Sequence, residues 1–158
     1  MIRYLIAGCI YAAVLSGQTL RVPPSHAARE TPGSFTIQID SPPGRTPATI
    51  QFELSFPPAL AVSVEDIAAG AAAEAAGKRL TCARSAVKTE VPNGVRFACI
   101  VAGGQKPIGN GNLAVVRYHL QEDVGGAPIR VPIEHILAVS SDLKAVHVPD
   151  VDAIITTG

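Results

Sequence analysis

The chain has 158 residues, with 13 basic and 13 acidic side chains and no net charge at neutral pH. That length suits one domain with room for a core, and the charge balance, with no basic run longer than a pair, excludes a nucleic-acid footprint. Trp is absent, Met occurs only at the start, and 14 Gly with 13 Pro break the chain often, as short strands and turns require.

Residues 1–18 read as a secretory signal peptide. Arg3 is followed by an apolar run from Tyr4 to Leu15 that is short for a bilayer span, then by the small polar Ser16-Gly17-Gln18, where cleavage is expected. Two other fates stay open. Ile6-Ala7-Gly8-Cys9 has the shape of a bacterial lipoprotein box, although only eight residues precede Cys9, and the run could persist as an uncleaved anchor. The expected location is secreted, periplasmic or cell-surface, with no membrane span in the mature chain.

Export places the remaining cysteines in an oxidising compartment. Cys82 and Cys99 sit in the strand-like runs "RLTCA" and "VRFACIV" and are expected to form a disulfide. Two buried thiols or half of a metal site are the alternatives. The four histidines, His26, His119, His135 and His147, have no ligand spacing that would complete such a site. No cofactor is indicated.

Residues 19–33, including "RVPPSHAARETPG", are Pro-rich and aperiodic and read as an exposed linker, so the folded domain is expected over 34–158. From there alternation dominates. Phe35, Ile37 and Ile39 point inward, then Ile50, Phe52, Leu54 and Phe56, with Pro57-Pro58 ending that strand. Leu60, Val62 and Val64 repeat the period. Asn93-Gly94 launches Val95, Phe97 and Cys99, and "GNGNLAVVRYHL" places Ala114, Val116, Tyr118 and Leu120 inside. Ile129, Val131 and Ile133 follow, with Pro132 suggesting an edge or a bulge, and a last strand lies within "VHVPDVDAIIT". Period two throughout predicts an all-β antiparallel sandwich of about 8–9 strands.

"GAAAEAAGKR", Gly70–Arg79, superficially resembles a phosphate-binding loop. Six residues separate its glycines where four are needed, Arg79 stands where a hydroxyl should bind magnesium, and a strand follows rather than a helix. It reads instead as a short Ala-rich helix near 70–77, capped by Gly77, with Lys78 and Arg79 favourable at its C-terminal end.

From Ser34 onward the order of pieces resembles the bacterial cohesin domain. "IQFELSFPPALAVSVED" is similar to that family's central strand, its aromatic-Asp-Pro turn and the next strand, with Phe56-Pro57-Pro58 in place of the usual turn. "NGVRFACIVAGGQKPIGNGNLAVVRYHL" is similar to its strand, loop with "PI", glycine and following strand. The resemblance covers about 120 residues and rests mostly on packing motifs. It implies a jelly-roll sandwich related to carbohydrate-binding modules, without catalysis, that binds a dockerin-like extracellular protein through one sheet face. That face would draw on strands near 48–56, 79–83, 94–101 and 112–120, with outward Gln51, Glu53, Ser55, Thr81, Arg96, Arg117 and His119. On a solvated antiparallel sheet the same residues need have no role beyond facing water. The Cys82/Cys99 pair and the Ala-rich helix depart from the scaffold cohesins.

Three other readings compete. Polysaccharide binding normally uses exposed aromatic rings, but Phe35, Phe52, Phe56, Phe97 and Tyr118 all alternate inward. An enzyme needs a nucleophile with a base, or facing carboxylates; there is no GxSxG, and Asp150 and Asp152 have no identifiable partner. A structural envelope or assembly subunit would show an exposed apolar sheet face, for which outward Ala98 and Val115 are the hints.

Overall fold

A computed structural model describes residues 17–157. Two sheets enclose one core. The smaller sheet has the order β1–β3–β9–β5, from strands Thr19–Arg21, Gly33–Asp40, Gly111–Leu120 and Leu60–Ala61, with β6 (Ile67–Ala69) also on β9. The larger runs β2–β12–β10–β4–β8–β7, from Ser25–Ala27, Val151–Thr157, Ile129–Val139, Thr49–Phe56, Val95–Ala102 and Arg79–Arg84, with β11 (Ala145–Val148) pairing the far end of β10. This is the expected jelly-roll sandwich. The strands beyond the predicted eight or nine are pieces of two to four residues, too short to show a period.

The alternation read from sequence holds in the long strands. Ile37, Ile50, Leu54, Val101, Val116, Tyr118, Val131, Ile133 and Ile155 are wholly buried. Phe56 and Phe97 meet edge-on at 5.8 Å, and Phe35 packs on Tyr118 at 6.2 Å. No helix of the described residues is long and apolar enough to cross a membrane.

Four readings are corrected. Residues 19–33 are not an exposed linker, because β1 pairs antiparallel with β3 and β2 pairs parallel with β12. Leu20 and Ala27 enter the core, an isolated pair of contacts with no sequence period to reveal it. The predicted strand through Val64 stops at Ala61. The Asp66 carboxylate accepts the Ser63 N–H and hydroxyl at 2.8 and 3.0 Å, closing a 3₁₀ turn over Val64–Asp66 and leaving Val64 exposed. Pro132 is not in an edge strand, since β10 lies inside the sheet, but it stands where β10 pairs with β12 alone, just before the β4 ladder begins at Ile133, and the bulge comes between Glu134 and Leu137. The Lys78 ammonium does not serve the helix end.

The helix α1 (Ala71–Ala75) closes as predicted. Gly77 takes φ 67, its N–H bonds to Glu74 and the Lys78 N–H to Ala73, both at 2.9 Å. Lys106, not Lys78, donates its ammonium to the Ala75 carbonyl. Lys78 is buried, donating to the carbonyls of Gly103 and Gly104 at 2.8 and 2.9 Å. Burial lowers its pKa below the ordinary 10.5. Between that folded-state value and 10.5 the unfolded chain holds more protons, so stability should rise with pH across this alkaline window. Urea titrations should show the gain in the wild type and not in Lys78→Met.

Cys82 and Cys99 are bonded, and they face one another across the β7–β8 ladder with Cα atoms 4.1 Å apart. The bridge ties edge strand β7 to the sheet. Opening a 17-residue loop in the unfolded chain should lower stability by about 3 kcal/mol on the chain-entropy account. A lower urea midpoint in the Cys82→Ala/Cys99→Ala double variant checks this.

Candidate functional site

The outer face of β7–β8–β4–β10 is built by register. One row across it reads Thr81, Ile100, Gln51, Leu137, and the next reads Ala83, Ala98, Glu53, Glu134. Small and aliphatic side chains, including half-open Ile100, thus alternate with polar ones on a broad surface. A depression of 340 Å³ in its middle is lined by Gln51, Glu53, Ala98, Ile100 and His135.

A bulge aims His135 at this centre. Three steps along β10, from Glu134 to Leu137, oppose two along β4, from Glu53 to Gln51. The extra residue lets Ile133 and Ile136 both reach the core while His135 turns outward. His135 has φ 49, the left-handed position that glycine ordinarily fills in such a bulge and that His tolerates better than most residues. Its Nδ1–H donates to Glu53 Oε2 at 2.7 Å, and Arg96 Nη1 lies 3.5 Å from the same oxygen. The Arg96 side chain is only 9% exposed, and its Nε, buried, has no hydrogen-bond partner. Two basic groups therefore converge on one carboxylate, whose neighbour across the ladder is the second carboxylate, Glu134.

The predicted site residues divide between faces. Gln51, Glu53, Thr81, Ser55 and Arg96 belong to the outer side of the larger sheet, but Ser55 and Arg96 are buried rather than solvated. Arg117 and His119 are exposed on β9, which pairs with β3 in the smaller sheet, so they point away from the others on the opposite side of the sandwich. Alternation tells which residues face out; it does not tell which sheet they face out from. Ile100 was missed although the same alternation that places Ala98 outward places it too. His135 had no sequence signal, because a bulge reverses the period locally. Asp150 precedes β12, and Asp152 pairs with Arg130. Among the described residues no group of His, Cys, Asp and Glu is arranged to hold a metal.

Solved structures share this fold. A non-cellulosomal cohesin from the archaeon Archaeoglobus fulgidus matches with TM-score 0.67 at 14% identity, covering 90% of this chain and 92% of that one. A type I cohesin–dockerin complex from Clostridium thermocellum matches with TM-score 0.70 at 10% identity, covering 90% and 100%. The sixth cohesin of scaffoldin B from Acetivibrio cellulolyticus, in complex with a dockerin, gives TM-score 0.70 at 12% identity with the same coverage. The chain has the cohesin fold. No family model and no curated protein matches the sequence. A cohesin fold with a cross-strand disulfide and a polar-centred outer face is thus what residues 17–157 form.

Proposed function

We propose that this cohesin-like domain is an extracytoplasmic, non-catalytic recognition module that binds a dockerin-like protein through the outer face of β7–β8–β4–β10. The observation that carries the reading is His135 in its left-handed bulge. A backbone departure in an otherwise regular sheet sets a polar centre, Glu53 with Arg96 and His135, into a face of small and aliphatic side chains. Such a face, flat at Ala83 and Ala98 and apolar at Ile100 and Leu137, suits an amphipathic helix laid across it. The dockerin complexes of the solved cohesins support the same class of partner. The burial of all five aromatic rings beyond residue 16 gives no support to sugar stacking.

Affinity capture from the producer's secreted proteins, with the domain as bait, tests this. Dockerins fold around calcium, so a protein prey retained in calcium and released by chelator is expected. Polysaccharide alone, or nothing under either condition, counts against it.

A further inference from the structure

Of the four strands that make the outer face of the larger sheet, β7 buries least. It closes the sheet, so β8 is its only neighbour there. Leu80 and Cys82 are half-buried and its other four side chains are exposed. Ile50 and Leu54 of β4 and Val101 of β8, by contrast, are wholly buried. An element with so few buried apolar contacts opens locally at low cost, so β7 depends on its ladder and on two ties.

The ties hold different places. The Lys78 ammonium, just before the strand, binds the carbonyls of Gly103 and Gly104, just after β8. The Cys82–Cys99 bond holds the middle of the strand. Past Arg84 the Ser85 N–H bonds the Arg96 carbonyl at 2.8 Å, and residues 86–94 then form no strand. With the disulfide open, the part of β7 from Thr81 onward is left to a bare edge ladder, hinged at Lys78.

We propose that this disulfide is a redox latch: reducing it frees β7 from Thr81 onward and switches partner binding off, while the sandwich stays folded. The proposal rests on the recognition reading above, because β7 supplies the first member of each row across the face, Thr81 beside Ile100 and Ala83 beside Ala98. The chemistry is thiol–disulfide exchange with a dithiol. Cys99 is 4% exposed and Cys82 is half-buried on the edge strand, so the incoming thiolate attacks the Cys82 sulfur. The Cys99 thiolate leaves and takes up a proton. The reductant's second thiolate then attacks its own sulfur in the mixed disulfide, and Cys82 is released as a thiol. Two electrons pass to the protein and the dithiol ends as a disulfide. Binding is thereby confined to oxidising surroundings.

The test uses the full chain before and after reduction by dithiothreitol, with hydrogen–deuterium exchange read in the free protein. Relative to β4 and β9, exchange over 81–84 should rise by about tenfold or more on reduction, the mark of a local opening. Affinity for the partner captured in calcium should fall by about tenfold and return when glutathione disulfide rebuilds the bond. Cys82→Ala/Cys99→Ala should bind weakly with and without the reagent, which separates the bond from other effects of dithiothreitol. Exchange over 81–84 that stays in step with β4 and β9, or a reduced chain that unfolds throughout, overturns the latch whatever the partner does. A freed β7 with unchanged affinity overturns the switch and leaves the recognition reading standing. An oxidised chain that binds no protein defeats that reading, and with it the control of binding, while exchange still decides the latch.

Discussion

A chain cut back to residues 34–158 is expected to lose its cooperative unfolding transition, while one beginning at Gly17 keeps it. The segment removed carries β1 and β2. Leu20 pairs with Ile39 and is 7% exposed, and Ala27 is 2% exposed beside β12. The Tyr118 hydroxyl, on a wholly buried ring, reaches Ser25 Oγ at 3.0 Å and donates to the His26 carbonyl at 3.1 Å. Without the segment that hydroxyl is left among apolar neighbours. Burying Leu20 is worth about 2 kcal/mol, the ladder bonds roughly 1 kcal/mol each, and a stranded hydroxyl costs about 1–3 kcal/mol. Together these approach the whole stability of a small domain, about 5–15 kcal/mol. Gly33 shows how tightly the segment closes on the ring, since a Cβ there would lie 2.4 Å from Tyr118. Urea titration followed by circular dichroism decides the matter. A two-state transition at an unchanged midpoint in the shorter chain would return residues 19–33 to the status of a linker.

The second large effect is expected at the polar centre. Glu53→Gln leaves the Arg96 guanidinium, already short of a partner at Nε, without its carboxylate. Breaking a fully buried pair costs roughly 3–5 kcal/mol. Glu53 is 28% exposed and the separation is 3.5 Å, so about 2 kcal/mol is the expected loss. Adding Arg96→Met should recover most of it, because an apolar side chain of similar length needs no counter-charge. A double-mutant cycle in urea reads the coupling directly. Independent, additive losses would mean that the carboxylate and the guanidinium do not act as a pair. Partner binding should fall in both variants, since each also frees His135 from its anchor or changes the charge beside it.

The long strands were legible because one side of each faces a single core, and that imposes period two from Phe35 to Phe56 and from Val95 to Leu120. The disulfide was legible from parity and an expected export, and the helix cap from Gly77. What escaped depends on pairing between distant segments. β1 and β2 bury one side chain each of any size, which leaves no pattern. Arg117 and His119 alternate correctly, yet the choice of β3 rather than β8 as the neighbour of β9 put them on the other side. Ser55 and Arg96 were rightly outward, but outward is not the same as solvated: Arg96 lies against Glu53, and the ladder sets Ser55 opposite Arg96. His135 joined the site through one extra residue in β10, a local slip that no periodic reading can register.

The central claim is that one face of this sandwich recognises a protein. Binding of the captured calcium-dependent partner should therefore be compared between the wild type, Ile100→Arg on the larger sheet and Arg117→Glu on the smaller. Ile100 and Arg117 are both outward and lie outside the core, so both variants should fold as the wild type does. Loss of binding in Ile100→Arg with wild-type affinity in Arg117→Glu is the predicted result. Full binding by Ile100→Arg, or loss only in Arg117→Glu, would contradict the assignment and move recognition to the opposite sheet or to the loops.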